Sequence, residues 1–245
     1  MTTEKKIVLI TGVSRREGLG FGLAKAFLAE GFDVLITARQ REAAEALSDE
    51  LSGEWQTIMS EALDITNQES VDALATFVEK RYQRLDVLVN NAGAGMDYMV
   101  EPLQTNFADT RAAFETNVFG AWRMVIAFVP LLRKSDHPRI VNVSSGAGSF
   151  ADPVFGLGVH PAIYTSYGLS KLALNGLTVK LHRQLNPEGI LVNSVCPGFV
   201  ATAPGLDEMG ARPVADAAPG IVWAATLQDG GPSGGFFRDG KPLAW

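Results

Sequence analysis

The stretch TGVSRREGLGFG, Thr11 to Gly22, overlaps the end of the apolar run IVLIT (residues 7–11) and opens a helical pattern over about residues 20–30. Glycines let a backbone turn tightly and approach a bound anion, while the free N–H groups and positive dipole of a helix start face that anion. A glycine pattern alone is a weak signal. Here it lies after a predicted strand and before a predicted helix, which is the context a phosphate-cradling turn requires. Within that helix Leu23, Ala26, Phe27 and Glu30 form one stripe, and Gly31 predicts its C-terminal stop.

Outward from this turn, short β-branched runs alternate with longer amphipathic stretches. The runs are residues 7–11, 33–37, 57–64, 86–92, 139–145, 190–195 and 234–240, and five are almost continuously apolar. Strands covered by helices on both faces read that way. Helical spacing appears over about 20–30, 40–51, 67–83, 108–133, 162–186 and 214–227. The pattern predicts an α/β chain with one Rossmann-type doubly wound parallel sheet of about seven strands and helices on both faces. With no linker, repeat or single-sign charged tract, residues 1–245 are expected to form one dinucleotide-binding and catalytic domain.

In such a sheet a ligand lies outside the carboxyl ends of the strands. The second strand ends in Ala38 and Arg39, and no acid occurs before Glu42. A carboxylate there suits the ribose 2′-hydroxyl of NAD, whereas a cation suits the 2′-phosphate of NADP. Arg15, Arg16 and Arg39 therefore favour NADP(H) over NAD(H), with solvent-facing arginines as the plain alternative.

A hydrophobic content of 47% with 20% charged residues predicts a folded chain rather than a disordered one. The net charge of −6 provides no basic field for nucleic acid. No apolar run reaches the roughly 20 residues of a membrane span, and the opening MTTEKKIVLITG lacks a signal-peptide pattern, so a cytoplasmic protein is expected. The single Cys196 fits a reducing compartment and reads as a small buried hydrophobe. His137, His160 and His182 lack metal-ligand spacing and are expected on the surface or in loops.

Tyr167 and Lys171 are four residues apart, hence on one face of the predicted helix 162–186. A phenol titrates near 10, and a neighbouring ammonium favours its ionised form. Ser145 ends the fifth run, where its hydroxyl can support negative charge developing on a substrate oxygen.

Together with the glycine turn, the segments NNAG (90–93), TNVFG (116–120), NVSS (142–145), Tyr167 with Lys171, and PGFVAT (197–202) resemble the short-chain dehydrogenase/reductase family over essentially the whole chain. The finish GGFFRDGKPLAW looks like the carbonyl-reductase-like branch. The resemblance implies an oxidoreductase that moves a hydride between NADP(H) and a small carbonyl or alcohol, with Tyr167 as general acid/base and Asn117, Ser145 and Lys171 as its partners. Asn117 would hold a water that relays protons to Lys171. For the cofactor it implies Gly12, Ser14, Arg15, Arg16, Gly18, Leu19 and Gly20 in the turn, and Arg39, Asp64 and Ile65 around the adenosine. Asn91, Ala92 and Gly93 would flank it, Pro197, Gly198, Val200 and Thr202 would hold the nicotinamide end, and Tyr167 and Lys171 would reach its ribose.

One departure keeps alternatives open. Gly12 and Gly18 enclose five residues where the family usually has three, a length resembling the branch that includes enoyl-acyl carrier protein reductases. There the tyrosine sits seven before the lysine, and Tyr164 occupies that position. An enoyl-thioester reductase using Tyr164, and a non-catalytic NADP(H)-binding regulator, are the competing readings. Substrate choice is expected from Gly146–Ile163 and Ala201–Val214. The first segment is long enough to obstruct the face by which relatives assemble, so a homo-oligomer is only an open possibility.

Overall fold

The computed structural model describes residues 5–52, 58–95, 100–159 and 164–245. His160, Thr57 at the start of the third predicted run, and residues 160–163 of the expected substrate segment and helix start lie outside them.

Seven parallel strands run as expected: β1 Ile7–Ile10, β2 Asp33–Ala38, β3 Ile58–Ala62, β4 Val87–Asn90, β5 Arg139–Val143, β6 Leu191–Val195 and β7 Phe236–Arg238. An eighth, β8 Lys241–Pro242, folds back antiparallel on β7, giving the order β3-β2-β1-β4-β5-β6-β7-β8. Its turn is Asp239-Gly240, both with positive φ (51° and 72°), the conformation of a two-residue hairpin. The chain reverses direction across the sheet between β3 and β4, which opens the crevice at the carboxyl ends of β1 and β4.

The continuous apolar runs are resolved by the strand's twofold alternation. Ile7, Leu9, Leu88 and Ile140 face a layer made by α3 Gln68–Tyr82, α5 Ala121–Leu132 and α6 Thr165–Leu185. Val8, Ile10, Val89 and Val141 face α1 Leu19–Ala29, α2 Arg41–Ser52 and α7 Val214–Ala225. Both faces of each central strand are thus dry.

Helix α1 stops as its sequence predicts. Gly31 takes φ +82°, its N–H donates to the Leu28 carbonyl at 3.0 Å, and the Phe32 N–H donates to the Phe27 carbonyl at 3.1 Å. The two phenyl rings then meet edge to face at 5.2 Å, the apolar contact that accompanies this cap. At the other layer contact, Gly22 of α1 lies so near Val214 that an added Cβ would sit 2.2 Å from its Cγ1.

Two helices differ from expectation. The stretch 108–133 is α4 Phe107–Phe114, a π-helical turn over Glu115–Gly120, and α5. Helix α6 begins at Thr165, with Tyr164 as its left-handed N-cap at φ +60°. His182 stands in α6, partly buried and hydrogen-bonded to Ser233, rather than in a loop.

Phe128 of α5 is wholly buried against the first apolar layer. Phe128→Ala is expected to cost about 3–5 kcal/mol of stability, read from urea unfolding midpoints; a loss under about 1 kcal/mol would contradict this packing.

Candidate active site

At the crevice, the glycine turn is tied to the strand beside it. The Thr11 hydroxyl accepts from the N–H groups of Asn91 (3.1 Å) and Ala92 (3.0 Å), and the Asn91 amide donates to the Thr11 carbonyl at 2.8 Å. Gly12 takes φ +74°, and a Cβ there would lie 2.6 Å from Ala92 Cα. Glycine at this position is therefore required twice, by conformation and by space. Gly20 faces the Asn91 amide in the same way, with a virtual Cβ contact of 2.8 Å. Gly18 caps α1 with no side-chain hydrogen bond, so the first amides of the helix carry no protein cap.

Two adjoining clefts open here. One of about 690 Å³ is lined by Gly12, Ser14, Arg15, Arg39, Asp64, Ile65, Ala92 and Gly93, with Thr66 and Gln40 beside them. The other, of about 240 Å³, is lined by Gly18, Leu19, Gly20, Asn91, Ser144, Tyr167, Lys171, Pro197 and Thr202. Gly12, Ser14, Arg15 and Gly93 line both, so they form one crevice running from Arg39 to Tyr167.

Arg15 and Arg39 are exposed at its walls, whereas the Arg16 guanidinium pairs with Glu50 at 2.8 Å and lines neither cleft. Asp64 accepts from the Thr66 hydroxyl (2.7 Å) and N–H (2.9 Å). These bonds, and secondarily Arg39 and Arg123, hold its carboxyl below the usual carboxylate range. Gly198, at φ +80°, and the buried Val200, bridged to Arg212, shape the loop after β6 without lining the crevice.

Tyr167 and Lys171 sit one helical turn apart on α6, with the Lys171 ammonium 5.5 Å from the centre of the Tyr167 ring. Burial pushes the Tyr167 phenol up, and a hydrogen bond with the Ser145 side chain opposes that rise. Burial also lowers Lys171 to about 8, and its ammonium donates to the Val143 carbonyl at 2.8 Å. Ser145 follows β5 as the N-cap of a short 3-10 turn, Gly146–Gly148, its Oγ accepting from the Ala147 N–H at 3.2 Å. Asn117, in the π-helical turn, is 1% exposed. Its Oδ1 accepts from the Ala94 N–H, and its Nδ2 donates to the Ala94 carbonyl and to Ser170 Oγ, all at 2.9 Å. It thereby pins the loop after β4 to α6.

Tyr164 lies beside this group, its ring 5.8 Å from that of Tyr167, but lines neither cleft. One participant escaped the sequence reading. Asn175 accepts from the Ser144 hydroxyl at 2.6 Å and donates to the Gly148 carbonyl at 3.1 Å, bracketing the turn that carries Ser145. It falls four residues after Lys171, on the same helix face, and that spacing was the available signal.

The profile of a family described as short chain dehydrogenase matches residues 6–208. The chain belongs to the short-chain dehydrogenase family. A short-chain dehydrogenase of Penicillium roqueforti is 37% identical over 87% of this chain and 88% of its own length. The (+)-neomenthol dehydrogenase of Arabidopsis thaliana is 31% identical over 95% of both chains. Among solved structures, NADPH-bound carbonyl reductase from chicken fatty liver superposes with a TM-score of 0.85 at 27% identity, over 99% of this chain and 100% of its own. With the finish GGFFRDGKPLAW, this places the dehydrogenase in the carbonyl-reductase-like branch. Among the described residues no helix is long and apolar enough to cross a membrane.

The buried lysine of this short-chain dehydrogenase has a thermodynamic signature. Its pKa near 8 lies below the value of 10.5 usual for lysine, so above pH 8 the unfolded chain binds more protons than the folded one. Stability attributable to Lys171 should therefore rise between pH 8 and the tyrosine titration range, by about 2–3 kcal/mol. Denaturant unfolding of the cofactor-free protein between about pH 7.5 and about pH 9.5 checks this; the rise should vanish in Lys171→Met.

Proposed function

We propose that the protein is an NADP(H)-dependent oxidoreductase interconverting a small carbonyl compound and its alcohol, with Tyr167 as general acid/base. The observation that carries this reading is that Tyr167 and Lys171 line one end of the crevice together, the phenol hydrogen-bonded to the Ser145 side chain and beside the buried Lys171 ammonium.

The crevice fits a dinucleotide by its own features. The start of α1, with no side-chain cap at Gly18, and the close Gly12 approach suit a pyrophosphate, with Ser14, Gly18, Leu19 and Gly20 around it. Arg15 and Arg39, exposed on the wall of the wider cleft, suit a 2′-phosphate, and Asp64 and Ile65 the adenine. Arg16 is the weaker candidate because Glu50 already neutralises it. Asn91, Ala92 and Gly93 would form the floor, and Pro197 and Thr202, held by the Gly198–Val200 loop, the far end. The likeness to a carbonyl reductase solved with NADPH supports the same choice. When bound, NADPH supplies the hydride to the carbonyl carbon.

The chain's own residues then have distinct tasks. Ser145 steadies the substrate oxygen as negative charge develops, and Tyr167 gives it a proton. Lys171, its ammonium 5.5 Å from the centre of the Tyr167 ring, lowers the cost of the resulting phenolate and would hold the cofactor ribose. Asn117 keeps the loop after β4 against α6, next to the lysine, from which a water relay can run. Alcohol oxidation is the reverse. Tyr164 enters none of these steps, because it precedes α6 and so stands off the helical turn that pairs Tyr167 with Lys171. A cytoplasmic setting, consistent with one unpaired Cys196, belongs to the same proposal.

NADPH consumption against aldehydes, ketones and enoyl thioesters tests the reading. Tyr167→Phe should lower kcat on carbonyls by roughly 10²- to 10⁴-fold with NADPH affinity unchanged, and Tyr164→Phe should be near wild type. Enoyl turnover lost with Tyr164→Phe would replace this reading by the enoyl reductase, and NADPH binding without turnover would replace it by a regulator. Arg39→Ala should weaken NADPH binding roughly 10- to 100-fold and leave NADH binding little changed, measured by cofactor fluorescence.

A further inference from the structure

The turn carrying Ser145 has no slack behind it. The Gly146 N–H donates to Cys196 Sγ at 3.1 Å. A Cβ on Gly146 would fall 2.3 Å from Asp152 Oδ2 and 2.7 Å from Arg238 Nη2, so an ion pair packs directly on this backbone. Arg238 Nη2 donates to Asp152 Oδ2 at 2.5 Å and to Cys196 Sγ at 3.2 Å. The Gly198 N–H points to the same sulfur at 3.4 Å. Three N–H groups, from the serine turn, the loop after β6 and strand β7, thus converge on one atom.

The carboxylate end of the pair is equally committed. Asp152 has a wholly buried side chain, and its Oδ1 accepts from the N–H groups of Val154 and Phe155, both at 2.9 Å. An ion pair buried on its carboxylate side adds little stability over an apolar contact of the same volume, so net stability is a poor account of its presence. Nor is Arg238 placed for full satisfaction, because its Nε is buried without a partner among the described residues. What the pair supplies is fixed geometry. A charge-assisted bond anchors the guanidinium, whose nitrogen then reaches the thiol, a weak acceptor that alone would hold Gly146 loosely. The motif FFRDG near the C-terminus, whose phenylalanines are buried and whose Asp239-Gly240 makes the hairpin turn, places Arg238 at the carboxyl end of β7 for this contact.

We propose that the Asp152–Arg238 pair, acting through Cys196 Sγ and the Gly146 backbone, is the positioning element that sets the Ser145 hydroxyl against Tyr167. This rests on the roles given above to Ser145 and Tyr167. Arg238 and Asp152 are positioning residues and touch no reacting atom.

The test is a cycle in which Arg238→Met, Arg238→Lys and Asp152→Asn are made in wild-type and Ser145→Ala backgrounds. In the wild-type background, each is expected to lower kcat on a reducible ketone about 10- to 100-fold, the scale of a small misplacement, with NADPH affinity within about twofold. Arg238→Lys keeps the charge facing Asp152 but loses the planar fork, so it reports the same defect in a chain that retains the ion pair. In the Ser145→Ala background the further loss should be under about twofold, because effects routed through one group are not additive. Hydrogen exchange of the cofactor-free Arg238→Met and Arg238→Lys proteins should show lost protection at Gly146, Val154 and Phe155, with α1 unchanged. Fully additive losses, or unchanged kcat in Arg238→Lys, overturn the proposal alone. Full activity in Ser145→Ala overturns the role of Ser145 and this proposal with it.

Discussion

The Thr11 hydroxyl accepts hydrogen bonds from the backbone N–H groups of both Asn91 and Ala92, and Gly12 lies so close to Ala92 that no side chain fits between them. This contact binds the first turn of the sheet to the fourth, across the point where the strand order reverses. The glycine turn and the loop after β4 take their positions in the crevice from it. On one side the loop runs to the uncapped start of α1, and on the other Ala94 is held by Asn117, which reaches Ser170 on the helix bearing Tyr167 and Lys171. A threonine serves because its oxygen can accept two N–H bonds while its own proton goes to the Val89 carbonyl.

The parts legible in sequence were those whose signal is local. The central strands read as apolar runs because both faces are buried, and Gly31 announced the end of α1 because a left-handed cap has a single preferred residue. Tyr167 and Lys171 could be paired from spacing because both lie within the helix interior. Tyr164 could not be handled that way. The helix begins one residue later, so its relation to Lys171 does not follow helical periodicity.

What stayed illegible depends on partners distant in sequence or on geometry without a repeat. Asp152 and Arg238 are 86 residues apart, and nothing around either names the other. The π-helical turn that places Asn117 interrupts an apolar helix without altering its composition. Strand β8 has two residues, too few for any alternation, although the Asp239-Gly240 pair was a readable hairpin signal.

That hairpin also decides how the sheet ends. A lone β7 would offer a row of unpaired amides and carbonyls beside the buried Phe236 and Phe237, a template for a strand from another chain. Folding Lys241–Pro242 back over part of it replaces that template with a charged side chain and a residue that has no N–H to give. This edge of the sheet is thereby discouraged from growing sideways into a neighbouring molecule.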